Sequence, residues 1–276
     1  MPSSRAGAFL NQLGIVGNIS IDRSDQDGIS GTTNIGGAAL YVALAAARAG
    51  LASQPLSLVG TDLNTIRHHP LLSTLDLSGV RTVAGRSAAF TLTYDADGVL
   101  VGAEADYGVS AQLTVHALEQ IRARRDGCYH VCCRRPLDIA RVLDVLVHAA
   151  TPFSLDFFLP SAVESIAAAA SALPMAHVVF VNAAEYDILT DAVSTRDLRE
   201  VLVTDGPRPA QLIRSGRCVV RVTPPQVATV DVTGCGDTLA GTFLAARAAG
   251  FDDAVALEWA VRAASRHAAI PAIQVN

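Results

Sequence analysis

The sequence predicts an α/β fold: a Rossmann-like, layered and mostly parallel sheet with helices on both faces, plus a small β-sheet lid. Short apolar runs alternate with helical patterns along most of the chain. Such alternation is typical of parallel strands joined by right-handed crossovers. One region breaks this rhythm with a hairpin pattern, which indicates a separate small sheet.

Six short, apolar runs predict the core strands: residues 13–21, 54–59, 128–133, 153–157, 177–181 and 201–204. The predicted helices lie between or after these runs, at residues 38–49, 137–150, 161–173, 195–199 and 239–249. Gly50 and Gly250 follow the first and the last helix, as glycine often does at a helix end. A length of 276 residues suits one domain over residues 1–276 with a small appendage.

The hairpin pattern predicts the lid. Residues 87–94 alternate between apolar and polar side chains, residues 95–98 read Asp-Ala-Asp-Gly, and residues 99–103 form a second short run. Together with the segment that follows the first core strand, they predict a lid built from two separate stretches, about residues 22–34 and 86–106.

Composition excludes several classes of protein. The formal net charge of −5 argues against a nucleic-acid partner. Aromatic residues make up only 5% of the chain, and the apolar stretch 162–181 is interrupted by Glu164, Pro174 and His177, so no membrane span is predicted. The five cysteines are odd in number and scattered, which predicts a cytoplasmic location.

The most informative segment reads Asp231-Val-Thr-Gly-Cys-Gly-Asp-Thr238. It lies between an apolar run, residues 227–232, and the last predicted helix, so it is predicted to be a strand-to-helix turn. Its glycines allow a ligand to approach the backbone, and the N–H groups of a helix start attract anions. Asp237 places a carboxylate beside that anion cradle, which is an arrangement suited to phosphoryl transfer to an alcohol.

Two other phosphate-binding motifs do not match this segment. A dinucleotide-binding turn would need a third glycine where Leu239 stands. A Walker loop needs a lysine, and the chain contains none. A glycine-rich helix start without a ligand is the simplest alternative, and the carboxylates of Asp231 and Asp237 on either side of the glycines argue against it.

The segment resembles the Asp-Thr-x-Gly-Ala-Gly-Asp motif of the ribokinase-like (PfkB) carbohydrate kinase family, with Val232 and Cys235 as departures. The resemblance implies that Asp237 is the catalytic base and that the amides of Gly234, Cys235, Gly236 and Asp237 form an anion hole. It implies ATP and Mg²⁺ as cofactors, a sugar-like substrate and a homodimer formed through the lid. It also implies a K⁺ site at Asp231 and Thr233.

The resemblance extends to the N-terminal half. In the segment that ends at Asp22, this family uses the aspartate to bind sugar hydroxyls, and a carboxylate can accept from two vicinal hydroxyls. Gly36 and Gly37 correspond to the family's substrate-side Gly-Gly motif. Ala38 and Tyr41 stand where ribokinase-like members carry sugar-binding Lys and Asn, so a nucleoside or a cyclitol is an alternative acceptor. Tyr41 either contacts the substrate or packs on its helix.

Two further motifs of the family follow. Asn182 and Glu185 match the Asn-x-x-Glu motif, which implies that Glu185 holds Mg²⁺ through water. The same residues also predict a helix capping box, and both interpretations can hold together. Thr204 and Gly206 match a nucleotide-binding turn, although strand–Thr–Asp–Gly turns are common.

Three other features have competing interpretations. His130, Cys132 and Cys133 suggest a buried strand more than a metal site. Arg134 and Arg135 are predicted to be a solvated pair rather than phosphate ligands. Cys235, at a helix start, is predicted to have a lowered thiol pKa. A non-catalytic sugar- or nucleotide-binding protein on the same fold remains the alternative to an enzyme.

Overall fold

The computed structural model describes residues 12–26, 29–94, 100–124 and 127–273. The strands in these residues are β1 (Leu13–Val16), β2 (Ser20–Gln26), β3 (Ile29–Gly36), β4 (Ser53–Gly60), β5 (Val80–Val83), β6 (Ala88–Tyr94), β7 (Leu100–Asp106), β8 (Cys128–Cys133), β9 (Phe153–Phe157), β10 (Val179–Asn182), β11 (Val201–Asp205), β12 (Arg208–Arg214) and β13 (Arg217–Val222). The α-helices are α1 (Ala38–Arg48), α2 (Leu113–Ala123), α3 (Ile139–His148), α4 (Ala162–Ala169), α5 (Ala183–Ala192), α6 (Cys235–Ala248) and α7 (Asp253–Ala268).

The main sheet has nine strands in the order β13-β12-β11-β10-β9-β8-β1-β4-β5. All pairings from β5 to β11 are parallel, and β12 and β13 add an antiparallel edge. Strands β1, β4, β8 and β9 are buried along their whole length, as expected for parallel strands covered on both faces. The predicted α/β fold is therefore confirmed.

Helices cover both faces of this sheet. Along β8, Tyr129 and Val131 pack into the core formed with α2, α3 and α4, while Cys132 packs into the core formed with α1. Helices α6 and α7 extend the α1 side, where Phe243 and Leu257 pack together. Alternate residues of one strand thus serve two cores.

The lid is a second sheet of four strands in the order β3-β2-β6-β7. Strands β2 and β6 pair in parallel, and the two outer pairings are antiparallel. The predicted continuous strand 13–21 is wrong, because β1 ends at Val16 and the lid strand β2 begins at Ser20. The predicted turn at residues 95–98 lies outside the described residues.

Two other predicted elements are wrong. Residues 195–199 form turns, since so short a segment gains few helical hydrogen bonds, and the helix of this region is α5. Residues 227–232 form no strand. Pro224 and Pro225, just before that segment, have no N–H groups to donate to a strand neighbour, and Val230 and Val232 are exposed. Helix α6 accordingly begins at Cys235. Among the described helices, none is long and apolar enough to cross a bilayer.

Candidate active site

A cleft of about 720 Å³ lies between the lid and the carboxyl ends of the parallel strands. This is the edge at which open α/β sheets bind their ligands. Its lining combines residues of the lid, of the strand ends and of the start of α6: Asn18, Ser20, Asp22, Phe90, Tyr107, Arg134, Asp156, Phe158, Asn182, Glu185, Thr204, Gly234, Gly236 and Asp237. The structure thus brings together residues that are far apart in the sequence.

The anion cradle lies at the start of α6. Gly234 adopts a left-handed conformation with φ 77°, and a Cβ there would lie 2.8 Å from the ring of Tyr41. The N–H groups of Gly236 and Asp237 belong to the first helical turn, which leaves them without intrahelical acceptors. The N–H of Cys235 already donates to Val232 O at 3.1 Å. Fewer backbone N–H groups are therefore available to bind an anion than the sequence motif implied.

Asp237 lies beside the cradle in the first turn of α6, with its side chain 14% exposed. Burial raises the pKa of this carboxyl to about 7; Arg134 opposes the rise and Asp156 adds to it. A carboxylate with a pKa near neutral can accept a proton from a hydroxyl and release it again.

Arg134 is a member of this site that the sequence prediction placed in solvent. Its Nη2 lies 2.7 Å from Asp156 Oδ2 and 3.6 Å from Asp237 Oδ1, and its side chain is only 15% exposed. The prediction of a solvated pair is therefore wrong for Arg134. Arg135 is solvent-exposed as predicted, with its side chain 64% exposed and bonded to Glu164 at 2.5 Å, and it also lines the cleft.

Asp156 reaches the cleft from β9, next to β8, where Asp156 pairs with Cys132 in the sheet register. His130 stands behind it, with Nε2 3.9 Å from Asp156 Oδ1 and Nδ1 2.9 Å from Ser154 Oγ. Potential ligand atoms of His130, Cys132 and Asp156 lie within 4.8 Å of one another. Burial raises the pKa of the Cys132 thiol well above its usual value, which disfavours the thiolate that a metal would need.

The side of the cleft where the sequence predicts acceptor binding is formed by β2 and the start of α1; it is called the acceptor side. Asp22 Oδ1 accepts from Ser20 Oγ at 2.7 Å, and burial raises the pKa of Asp22 to about 6. Gly36 faces this carboxylate so closely that a Cβ would overlap it. Gly37 has φ 102° and is the residue before α1. Asn18, which sequence reasoning did not single out, is buried with its Oδ1 unpartnered among the described residues.

Three aromatic side chains also line the cleft. Phe90 and Tyr107, from the lid and the turn after it, meet edge to face with ring centroids 6.2 Å apart. Phe158, from the loop after β9, is 40% exposed, and its ring centroid lies 5.4 Å from the Arg134 guanidinium. None of these rings was predicted to be part of the site, because no local motif marks them.

Tyr41 is almost fully buried at 3% exposure. Its hydroxyl donates to Ile35 O at 3.3 Å, and its ring packs against Gly234 and meets the ring of His267. The tyrosine therefore packs against the cradle and also lines the cleft, and its hydroxyl is already hydrogen-bonded.

The capping box predicted at Asn182 and Glu185 is present. Asn182 Oδ1 accepts from Glu185 N, and Glu185 Oε2 accepts from Asn182 N, each at 2.9 Å. Glu185 also lines the cleft, and its carboxylate chemistry fits Mg²⁺ held through water. Thr204 lines the cleft as well, whereas Gly206 lies in the turn between β11 and β12 and is not part of the lining.

The segment before α6 holds the two residues implied for K⁺. Asp231 Oδ1 accepts from Thr233 N at 2.8 Å, so the carboxylate and the Thr233 backbone are adjacent. Their oxygens suit a hard cation. The Thr233 carbonyl also lies 2.8 Å from Nε2 of His267, which is on α7.

The lowered thiol pKa predicted for Cys235 is wrong. Burial raises it to about 11, and the nearby carboxylates of Asp231 and Asp237 add to the effect. The Sγ atom lies 3.7 Å from Ala264 O, toward α7 and not among the atoms that line the cleft. Cys235 is thus a packing residue in the first turn of α6.

Known proteins resemble this chain in sequence and in fold. The profile described as "pfkB family carbohydrate kinase" matches residues 14–270. A cytidine kinase of Thermococcus kodakarensis is 26% identical over 250 residues, 84% of this chain and 87% of that protein. The structure of a Burkholderia thailandensis nucleoside kinase with inosine has TM-score 0.79 at 19% identity, covering 95% of this chain and 92% of that one. A proposed ribokinase II from E. coli, solved with ATP and Mg²⁺, has TM-score 0.79 at 19% identity, covering 95% and 94%.

Proposed function

Because this chain belongs to the pfkB family of carbohydrate kinases, we propose that it transfers the γ-phosphoryl group of ATP to a hydroxyl of a nucleoside. Family membership makes it a phosphotransferase with an alcohol acceptor. The choice of a nucleoside over a simple sugar rests on the acceptor side of the cleft and on the nucleoside kinases among its relatives.

One observation carries this choice: Asp22 and Phe90, both in the cleft lining, are paired residues of the neighbouring strands β2 and β6, and the ring of Phe90 meets that of Tyr107. Asp22 can accept hydrogen bonds from two vicinal hydroxyls of a ribose. Phe90, Tyr107 and Phe158 offer apolar ring surface, which suits a flat base. A monosaccharide or a cyclitol can place only a C–H face on such a ring, whereas a planar base can stack its whole face on it.

In the proposed reaction Asp237 takes the proton of the acceptor hydroxyl as that oxygen attacks the γ-phosphorus. The bond between the γ-phosphorus and the β,γ-bridging oxygen breaks, and its electron pair leaves with ADP. The free N–H groups of Gly236 and Asp237 stabilise the charge on the phosphoryl oxygens. Mg²⁺, bound through water to Glu185, would offset phosphate charge.

The test is a screen of nucleosides, pentoses, hexoses and inositols with MgATP, measuring ADP release and identifying each phosphorylated product. The expected result is a higher kcat/KM for at least one nucleoside than for free ribose or any inositol. Preferred phosphorylation of a free sugar or an inositol would replace the nucleoside in this proposal. ADP release without a phosphorylated product would indicate hydrolysis instead.

The two raised carboxyl pKa values predict the pH dependence of the acceptor kcat/KM. Asp237 accepts a proton only when it is ionised, so the parameter should fall about tenfold per pH unit as pH drops below about 7. Asp22 must also be ionised to accept two hydroxyls, so the fall should steepen below about 6. The Asp22→Asn variant should keep the fall in kcat/KM below about pH 7 and should lack the additional steepening below about pH 6. A kcat/KM that stays constant from about pH 5 to about pH 8 would contradict the roles assigned to both Asp237 and Asp22.

We also expect K⁺ to stimulate turnover more than Na⁺, through Asp231 and the Thr233 carbonyl. His267 already contacts that carbonyl, so the ring and the ion would compete for it. The His267→Ala variant should therefore reach half-maximal stimulation at a lower K⁺ concentration. The measurement compares initial rates in the chlorides of K⁺, Na⁺ and tetramethylammonium. Equal rates in the three salts would remove K⁺ from the proposal.

A further inference from the structure

We propose that Arg134 is a catalytic residue that contacts the phosphoryl group during its transfer, and that Asp156 is the residue that positions it. This inference rests on the proposed kinase reaction and adds a cation to it. The family motifs quoted from the sequence do not include either residue. Both follow from the meeting of two adjacent strand ends, those of β8 and β9, beside the start of α6.

The first observation is the number of unused donors on Arg134. Its Nη2 serves Asp156 at 2.7 Å and approaches Asp237 at 3.6 Å. Its Nε is buried and has no hydrogen-bond partner among the described residues. A buried N–H without an acceptor costs stability unless a ligand satisfies it. Because Arg134 lines the cleft, an oxygen of a bound phosphoryl group is the natural acceptor.

The second observation is the charge balance of the cleft. Asp22, Asp156, Glu185 and Asp237 all line it, and MgATP would bring further negative charge. The chain has no lysine, so arginine must supply any permanently charged side-chain cation. Two arginines line the cleft: the Arg134 side chain is 15% exposed and faces Asp156 and Asp237, whereas the Arg135 side chain is 64% exposed and bonds Glu164.

The third observation is the support behind the guanidinium. Asp156 fixes Nη2, and His130 and Ser154 stand in line behind Asp156 in the buried sheet. On its other side the Arg134 guanidinium lies 5.4 Å from the centroid of the Phe158 ring. A cation held by a carboxylate and a ring on rigid strands is preorganised for a developing charge.

In the transfer step Arg134 stays protonated throughout. The proton of the acceptor hydroxyl passes to Asp237, the new O–P bond forms at the γ-phosphorus, and the electron pair of the broken bond leaves with ADP. The guanidinium donates hydrogen bonds to the oxygens of the moving phosphoryl group. It also neutralises Asp156 beside Asp237, so that the ionised base does not face an unpaired second carboxylate.

The test compares Arg134→Gln and Arg134→Lys with the control Arg141→Gln, an exposed arginine on α3 outside the cleft lining. Arg134→Gln is expected to lower kcat about 100- to 1000-fold with little change in either KM, since the lost contact forms in the transition state. Arg134→Lys should recover part of this loss, and Arg141→Gln should stay within a few-fold of wild type. Asp156→Asn should lower kcat without raising either KM, and Asp156→Glu should retain more activity than Asp156→Asn. In the double variant, Asp156→Asn should add little to the loss caused by Arg134→Gln alone.

If the Arg134 variants do not fold, the wild-type protein still tests the inference. A crystal structure with MgADP, aluminium fluoride and the acceptor should show a nitrogen of Arg134 within hydrogen-bond distance of a fluoride. A guanidinium turned away from the fluorides would overturn the proposal, as would equal activity of Arg134→Gln and Arg141→Gln. A wild-type protein that phosphorylates no acceptor would overturn the proposed function, and this inference with it.

Discussion

Replacing Asp237 with asparagine is expected to lower kcat by about 100- to 10,000-fold, the usual contribution of a general base. Asparagine keeps the size of the side chain and cannot accept the acceptor's proton at neutral pH. ATP binding should persist, because the cradle amides of Gly236 and Asp237 are backbone groups. The measurements are steady-state kcat and calorimetric ATP affinity.

The matched control is Asp144→Asn, on the exposed face of α3, where the side chain is 66% exposed. It removes one carboxylate without touching the cleft, so kcat should not change. If Asp237→Asn kept activity within a few-fold of this control, Asp237 would not be the base.

The second large effect is expected at the acceptor side, where Asp22→Ala should raise the acceptor KM about 5- to 150-fold. This range corresponds to about 1–3 kcal/mol for leaving polar substrate groups unpaired. The KM for ATP should hardly change, because Asp22 lies on the lid strand β2 and not at the cradle. Steady-state kinetics with each substrate varied in turn gives both values. A rise in the ATP KM alone would mean that the two ends of the cleft are assigned the wrong way round.

Gly36→Ala offers an independent check of this assignment. The new methyl group would overlap the Asp22 carboxylate, so it should displace that side chain and raise the acceptor KM as well. In the double variant Asp22→Ala/Gly36→Ala the overlap disappears, so the second change should add little to the first. Additive effects would show that Gly36 acts through the backbone and not through Asp22.

The parts of the site that a local pattern encodes could be predicted from the sequence. Gly234, Gly236 and Asp237 lie in one turn, and Asn182 and Glu185 in another, so short-range spacing was enough to find them. Arg134 and Asp156 could not be found this way. They meet only because β8 and β9 are parallel neighbours, and the sequence separation gives no sign of that contact. A charged residue inside the apolar run 153–157 was the available signal.

The same distinction explains the errors in the fold. The alternating strands and helices of the core were predicted because burial on both faces gives long apolar runs. Residues 227–232 have the composition of a strand, but they have no strand neighbour and instead hydrogen-bond to the end of α7 through Val230 N and Ala268 O. The pKa of Cys235 was predicted from its helix position alone, and burial outweighs that position.

One continuous stretch of chain joins the lid to the phosphate cradle. Strand β3 runs through Gly36 and Gly37 directly into α1, where Tyr41 packs against Gly234 and bonds Ile35. A displacement of this strand by a bound acceptor would therefore reach the backbone that we propose binds phosphate. Thermodynamic linkage then makes the coupling reciprocal. If the bound acceptor changes the affinity for ATP by a given factor, bound ATP must change the affinity for the acceptor by the same factor.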